Sequence, residues 1–296
     1  RLHLPELAIG LVRFPFMRRQ ERTVSDYYGR LFGTRNYQEV MGPALDALAC
    51  QPTANFPADL LFRRKPRRRE MPRSFTFDGG LNSVVEALSG TPGLVVEAAC
   101  EVTGLEKKGA GFKVHTGAGV IETQSLALAV PPAVASRLLK PEFPELAACA
   151  GSIGSALIET LGVVTPKQAP TLPPVAGLIG SRQPFYSLVS RDAVPDPHFR
   201  GFAFHFRPGQ LDGRAKRAFA AQVLGMPPER FVATVEAQSE LPAPGPNHRR
   251  IIKTLWEARR DLPLAICGNW LDGLSLEDCA ARSDAEFERL AGLLAH

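Results

Sequence analysis

A short apolar run near the end of the chain leads through a glycine-containing turn into the start of a helix. Residues 264–267 are suited to a buried strand, and Gly268 and Gly273 allow the backbone to turn and to approach a ligand closely. Ser275 stands three residues before Asp278, which is the spacing of a capping box and predicts a helix that begins directly after Ser275. The amide groups at such a helix start favour an anion or a polarised carbonyl, although the same pattern also occurs as plain packing.

The sequence contains no other familiar catalytic pattern. The six histidines are scattered, and none stands at metal-ligand spacing from a cysteine or an acidic residue. Neither a Gly-x-Ser-x-Gly elbow nor a Walker phosphate loop occurs. We therefore predict no metal site and assign no catalytic side chain, a pattern that suits a cofactor which carries out the reaction itself.

The composition is that of a globular protein with a sizeable core. With 296 residues, of which 45% are hydrophobic, the chain is long enough for one large or two ordinary domains. The sequence contains no run of about 18 apolar residues, so it predicts no membrane-spanning helix. The five cysteines are odd in number and widely spaced, which predicts reduced thiols and a cytoplasmic protein. A homo-oligomer is compatible with the sequence.

The formal net charge of +5 comes mainly from one short segment. Between residues 63 and 73, seven positive side chains stand beside the single acid Glu70: Arg63, Arg64, Lys65, Arg67, Arg68, Arg69 and Arg73. Pro66 and Pro72 interrupt regular structure, so we predict an exposed connection. This segment has three possible roles: a solvated linker, a patch that binds anionic lipid head groups, or a contact with nucleic acid. Because no aromatic residues are interleaved for base stacking, we predict no nucleic-acid partner.

Hydrophobic periodicity divides the first half of the chain into two regions. Residues 1–60 are predicted to be mainly helical. Residues 74–132 predict a Gly-Gly turn, then a helix in which Val84, Val85 and Leu88 bury one side, and then a small β-meander and a buried strand.

The second half predicts an antiparallel sheet. Strands are indicated at residues 155–164, 185–190 and 201–206, with a helix at 215–224. Three phenylalanines share one face of the third strand: Phe202, Phe204 and Phe206. This aromatic face could line an apolar substrate cavity or form ordinary sheet core.

Four blocks of the chain, in this order and spacing, resemble a known family of flavoenzymes. The similar blocks are the opening helix of the family's substrate region at residues 23–33, its Gly-Gly segment at 76–88, its β-meander at 97–132 and its C-terminal flavin segment at 262–280. The family is that of protoporphyrinogen oxidase and its relatives in the FAD-dependent amine oxidase and phytoene desaturase superfamily.

The resemblance implies an α/β fold. A Rossmann-like FAD-binding domain, incomplete at the N-terminus, would carry an inserted α+β substrate domain. Residues 1–73 would form the helical part of the substrate domain with the basic loop, and 74–143 an FAD-domain segment with the meander. Residues 144–261 would supply the antiparallel sheet of the substrate domain, and 262–296 the C-terminal FAD-binding segment.

The resemblance also implies a function, namely oxidation or desaturation of an apolar substrate by hydride transfer to FAD. A tetrapyrrole, a terpenoid precursor and an amine all remain open, and relatives with tetrapyrrole or terpenoid substrates work at the membrane surface. This leads us to expect a protein peripheral to the inner membrane. The implied cofactor-binding residues are Val102 on the adenine side and, near the flavin ring, Gly268, Gly273, Leu274, Ser275 and Leu276. The phenylalanine face would contact substrate.

The dinucleotide fingerprint of the family is absent. No Gly-x-Gly-x-x-Gly occurs, and the glycine pairs at 109–111 and 117–119 predict hairpin turns instead. We therefore expect a chain whose first βαβ unit lies outside this sequence or is supplied by another polypeptide. An alternative is a non-catalytic binding or assembly protein, because residues 281–284 and 49–52 replace a Ser-Gly pair and a glycine-containing turn of the family.

Overall fold

The computed structural model describes residues 2–62, residue 70 and residues 75–295. The basic segment 63–73 lies outside the described residues except for Glu70, so the structure does not address its predicted roles.

Residues 2–62 are mainly helical, as predicted. The helices are α1 (Leu4–Arg13), α2 (Val24–Phe32), α3 (Thr34–Asn36) and α4 (Gly42–Ala49), with a 3-10 turn at Phe14–Phe16 and a π-helical segment at Tyr37–Met41. The Thr23 side chain caps α2 by accepting a hydrogen bond from the Asp26 amide at 3.2 Å. Val24, Tyr27 and Leu45 are buried in the small core that joins α2 to α4.

The β-meander has the predicted form. It contains β1 (Val102–Lys108), β2 (Gly111–Thr116) and β3 (Gly119–Thr123), which pair as consecutive antiparallel neighbours. Gly109 and Gly119 have φ values of +57° and +137°, a region that favours glycine, so the predicted hairpin turns are confirmed.

The helix before the meander differs from its prediction. It is α5 (Asn82–Ser89), and Val84, Val85 and Leu88 are all exposed. The prediction that they bury one side of the helix is wrong for this structure, because none of the described residues between 75 and 101 reaches a core. The periodicity correctly indicated an apolar side, but no described element packs over it.

An antiparallel sheet dominates the middle of the chain. Its strands are β5 (Gly154–Pro166), β6 (Gly177–Ile179), β7 (Phe185–Ser190), β8 (Phe199–Phe206) and β9 (Ala233–Ala243), arranged in the order β6-β7-β8-β5-β9. The helix α8 (Gly213–Leu224) contributes Ala220 and Leu224 to the core on one face of this sheet, and a 3-10 turn follows at Pro228–Arg230. The three predicted strands and the predicted helix are confirmed, whereas β6 and β9 had no clear signal.

A second core lies around two parallel strands. The elements are β4 (Leu126–Leu128), α6 (Pro132–Leu139), α7 (Pro144–Gly151), α9 (His248–Ala258), β10 (Leu264–Ile266) and α10 (Leu276–Leu294). The strands β4 and β10 pair in parallel, and all three residues of β10 are buried, as its apolar run predicted. Because α7 and α9 share this core with the meander, both ends of the segment 144–261 pack beside β4 and β10 rather than on the antiparallel sheet.

A buried carboxylate fixes the last helix against this core. Glu286 of α10 forms an ion pair with Arg259, and both side chains are almost completely buried. Arg282 and Arg289 also bind Glu286, at 3.2 and 3.1 Å. Arg289 further donates to the backbone carbonyls of Leu262 and Leu264 at 2.8 and 2.6 Å, which attaches α10 to the start of β10.

Replacing this carboxylate should be costly. We expect Glu286→Gln to lower the free energy of unfolding by about 3–5 kcal/mol, because it leaves buried arginines without their counter-charge. Urea denaturation followed by circular dichroism measures the change. In Glu257→Gln, which removes an exposed partner 3.8 Å from Lys253, the loss should stay below about 1 kcal/mol. Equal losses in the two variants would contradict a central role for the buried network.

Candidate functional site

The turn between β10 and α10 is held at several points. Trp270 donates its indole N–H to the carbonyl of Val130 at 3.0 Å, which joins the turn to the end of β4. His248, the first residue of α9, donates from Nε2 to the carbonyl of Leu271 at 2.7 Å. Asp272 forms an ion pair with Arg282 of α10. The turn therefore has a defined position at the carboxyl ends of both parallel strands, where ligands bind in open α/β sheets.

The predicted capping box at the start of α10 is present. Ser275 accepts a hydrogen bond from the Asp278 amide at 3.1 Å, and the Asp278 carboxylate accepts from the Ser275 amide at 3.2 Å. Gly268 has a φ of +145°, a conformation that favours glycine, as its place in the turn suggested.

Gly273 has a different role from the one expected of it. A Cβ atom at this position would lie 2.4 Å from the carboxyl carbon of Asp278, and the residue does not adopt a positive φ. Its lack of a side chain makes room for the capping carboxylate. The structure thus explains Gly273 by contact within the chain, and a ligand contact remains a prediction.

A cleft opens beside this turn. It has a volume of about 410 Å³ and is lined mostly by apolar groups of three separate parts of the chain. The lining residues are Leu48, Ala49, Gln51, Leu60, Leu61, Phe62, Leu241, Pro242, Asn269, Leu274, Ser275 and Asp278. A second cavity of about 260 Å³ shares Leu241, Pro242 and Asn269 with it and extends to the end of β4, so the two volumes adjoin.

Gln51 is the most informative polar group in the cleft. It is only 2% exposed, and its side-chain nitrogen donates to the carbonyl of Pro242 at 3.0 Å, which fixes the orientation of the amide. Its Oε1 atom has no hydrogen-bond partner among the described residues. A buried polar atom without a partner is costly. Because this oxygen has almost no accessible surface, a ligand would reach it only after a local movement uncovers it.

The structure brings together only some of the predicted cofactor residues. Leu274 and Ser275 line the larger cavity and Gly268 lines the smaller one. Leu276 is exposed at the start of α10 and does not line either cavity. Val102 begins β1 and packs against the core around β4, apart from the cleft-lining residues.

The phenylalanine face lies elsewhere. Phe202, Phe204 and Phe206 are fully buried in the core between the antiparallel sheet and α8. This placement favours the packing interpretation over a substrate cavity. On the opposite face, His205 Nδ1 lies 3.0 Å from the hydroxyl of Ser187, and burial lowers the pKa of His205, which favours the neutral ring.

Several cleft residues had no signal in the sequence. Leu241 and Pro242 end β9, an element that periodicity did not indicate, and Gln51 stood out only as part of a replaced glycine turn. Asn269 stands two residues after the predicted strand, within the turn that the motif predicted. Cys267, its near neighbour, has its thiol pKa raised by burial, which favours the protonated form. No group of acidic, histidine or cysteine residues in the described part of the chain is arranged to hold a metal.

Several solved structures have the same arrangement of helices and strands. A protoporphyrinogen oxidase-like protein from Exiguobacterium sp. 255-15 superposes with a TM-score of 0.73 over 96% of this chain and 72% of its own, at 16% identity. UDP-galactopyranose mutase superposes with a TM-score of 0.73 over 99% of this chain and 72% of its own, at 14% identity. Cyclohexylamine oxidase from Brevibacterium oxydans IH-35A superposes with a TM-score of 0.63 over 93% of this chain and 68% of its own, at 13% identity. This chain shares its fold with these three proteins.

The likeness establishes the predicted fold class. The helix-and-strand architecture matches that of the first two solved structures over 96% and 99% of this chain. No protein-family model matches the chain, and no curated protein matches it by sequence. At these identities the shared property is the fold.

The close packing of Gly273 on Asp278 makes a testable prediction. We expect Gly273→Ala to lower the free energy of unfolding by about 1–2 kcal/mol, because the new methyl group displaces the capping carboxylate. Gly117→Ala is the matched control, since nothing lies within 4 Å of a Cβ atom there. Thermal unfolding of both variants would show the difference, and a neutral Gly273→Ala would contradict the packing role.

The buried His248 makes stability depend on pH. Burial lowers the pKa of His248, although its bond to Leu271 and the charge of Asp272 oppose the shift. The unfolded chain gains this proton as the pH falls below about 6.5, while the folded chain resists it. Stability is therefore fully present above that pH and declines below it. In His248→Gln, the decline in the free energy of unfolding between pH 7.5 and pH 5 should be smaller than in the parent; an unchanged decline would assign it to other groups.

Proposed function

We propose that the protein is an FAD-dependent oxidoreductase that oxidises an apolar substrate in the cleft between α4, the end of β9 and the start of α10. The observation that carries this proposal is an apolar cleft that is bordered by the first residues of a capped helix and has the buried side chain of Gln51 in its wall. The fold of FAD-dependent oxidoreductases supports it.

The cleft suits the ring system of a flavin. Its mainly apolar walls match a flat aromatic group, and Gln51 Oε1 would accept a hydrogen bond from a ring N–H. Leu274 and Ser275 bring the start of α10 to the same cleft, where the Asp278 carboxylate offsets the positive end of the helix dipole. For the pyrophosphate of FAD, the sequence offers no Gly-x-Gly-x-x-Gly, so we expect the ring end to supply most of the affinity in this chain.

Bound FAD would supply the redox chemistry by accepting a hydride from a carbon atom of the substrate. The apolar side chains of Leu48, Leu60 and Leu241 would hold an apolar substrate and exclude water. Gln51 would orient the ring through its fixed amide. A tetrapyrrole, a terpenoid precursor and an amine are the substrate classes that the family resemblance suggests, and the apolar lining favours the first two.

A second function is that of a non-catalytic binding protein that uses the same cleft. The replacement of a Ser-Gly pair and of a glycine-containing turn of the family, at residues 281–284 and 49–52, favours it. Both functions place a ligand beside Gln51, and they differ in whether substrate transfers electrons to a bound flavin.

FAD titration tests the proposed site. At about 0.3 kcal/mol per non-hydrogen atom, a ring system of about 18 such atoms would bind with a Kd on the order of 0.1 mM. We expect quenching of flavin fluorescence in this range by the 296-residue chain. Gln51→Met should weaken binding on the order of tenfold, because it removes the hydrogen bond at similar side-chain volume. Gln238→Met in β9, outside the cleft lining, should bind as the parent does.

The outcomes separate the candidate functions. No binding up to 5 mM FAD, about 50 times the expected Kd, would overturn the flavin site. If FAD binds, anaerobic addition of protoporphyrinogen or of a primary amine should bleach the flavin absorption in the oxidoreductase. Binding without bleaching by a panel of reduced tetrapyrroles, terpenoids and amines would favour the binding protein.

A further inference from the structure

The strand β9 forms an open edge of the antiparallel sheet. It pairs with β5 on one side only, and residues 235–240 are all exposed. At the opposite edge β6 is only three residues long, whereas β9 has eleven residues. A long edge strand presents a row of backbone N–H and C=O groups with which another strand can pair.

The sequence of β9 lacks the usual protection of such an edge. It contains no lysine or arginine, and its one proline, Pro242, is the second-last residue. The register with β5 runs from Ala233 to Ala243 without a bulge. Edge strands that stay unpaired normally carry one of these devices, so β9 is suited to a partner strand.

Pro242 shows which backbone groups point away from the sheet. Proline has no N–H to donate, so in an edge strand its nitrogen lies on the open side. The Pro242 carbonyl accepts the hydrogen bond of Gln51, a residue outside the sheet, at 3.0 Å. Because the open side alternates along a strand, every second residue before Pro242 directs its N–H and C=O outward. These residues are Thr234, Glu236, Gln238 and Glu240. In the described part of the chain, no backbone hydrogen bond from outside the sheet reaches them.

The outward residues are complementary to a second copy of the same strand. An antiparallel pair with Ala237 opposite Ala237 of the second copy places Glu236 opposite Gln238 of the other strand. The same register places Thr234 opposite Glu240. Each carboxylate then faces a side chain that can donate a hydrogen bond, either an amide or a hydroxyl.

The two nearest registers are unfavourable. A pair centred on Gln238 would place Glu236 opposite Glu240 of the second copy, and a pair centred on Glu236 would place two Glu236 carboxylates opposite each other. Like charges directly opposite each other destabilise a strand pair. Registers further away shorten the paired length, so the charges select the register centred on Ala237.

We propose that the protein forms a dimer in which two β9 strands pair antiparallel about Ala237. The paired residues 234–240 contribute about eight backbone hydrogen bonds between the copies. The two five-stranded sheets then continue as one sheet through a two-fold axis, an arrangement in which the same patch serves both copies. The dimer needs only the edge of β9 and does not depend on the proposed function.

Cysteine cross-linking tests the pairing and its register. Ala237 is a non-hydrogen-bonded position, where the Cα atoms of facing residues lie about 4.5 Å apart, a distance that a disulfide can span. Ala237→Cys should therefore give a covalent dimer with a mild thiol oxidant, measured on non-reducing gels against the parent with its five native cysteines.

Ser239→Cys is the matched control for cross-linking. Ser239 is exposed on the same face of the strand, two residues further on. In the proposed register it lies about 14 Å along the strand from Ser239 of the second copy, so this variant should cross-link no more than the parent. Equal cross-linking of the two cysteine variants would overturn the proposal.

Sedimentation velocity measures the dimer without a cross-link. Gln238→Pro removes an outward N–H and leaves the hydrogen bonds to β5 in place, so it should weaken the dimer at least about tenfold with an unchanged circular dichroism spectrum. Gln238→Lys places a cation opposite Glu236 of the second copy and should instead strengthen the dimer about fivefold at low salt.

The outcomes decide for or against the edge of β9. A parent that stays monomeric at every concentration would overturn the proposal. A dimer that neither Gln238 variant alters would place the interface on another surface and would overturn it as well. If Gln238→Pro does not fold, the comparison of Ala237→Cys with Ser239→Cys decides alone.

Discussion

The structure depends on one buried carboxylate. Glu286 is held by Arg259, Arg282 and Arg289, in a region where a lone charge would be strongly disfavoured. Burial lowers the pKa of Arg259 to about 10, with the charge of Glu286 opposing the shift. Since Arg289 also binds the backbone just before and within β10, the position of α10 along the strand is fixed. The turn that borders the cleft spans the gap between these two fixed elements.

The cleft is assembled from parts that lie far apart in the sequence. Gln51 follows α4, Pro242 ends the antiparallel sheet and Asn269 follows β10, and the hydrogen bond from Gln51 to Pro242 joins the first two parts. Trp270 and His248 attach the third part to β4 and α9. A ligand in this cleft would therefore contact all three of these parts of the chain. Its position would depend on how the three parts are joined rather than on one loop.

Apolar periodicity has opposite outcomes in different helices. In α2, Val24 and Tyr27 lie in a core, whereas the apolar sides of α1 and α5 face solvent. In α1 the reason is local, because Gly10 and Glu6 make the inner contacts. In α5 no described element covers the side. The spacing of apolar residues along the sequence shows that a helix has an apolar face. What that face contacts depends on the elements that surround the helix.

Local rules were sufficient for much of this protein. The capping box of Ser275 and Asp278, the hairpin glycines, the meander and the buried strand β10 depend on neighbours within a few residues, and the sequence determined them. The family resemblance predicted the fold class in the same way, from blocks in order. Tertiary structure alone decided that Gly273 makes room for a carboxylate, that Phe204 lies in a core, and that Gln51 contributes a buried amide to the wall of a cleft. These properties depend on contacts between distant segments, and hydrophobic pattern and spacing carry no information about which distant groups meet.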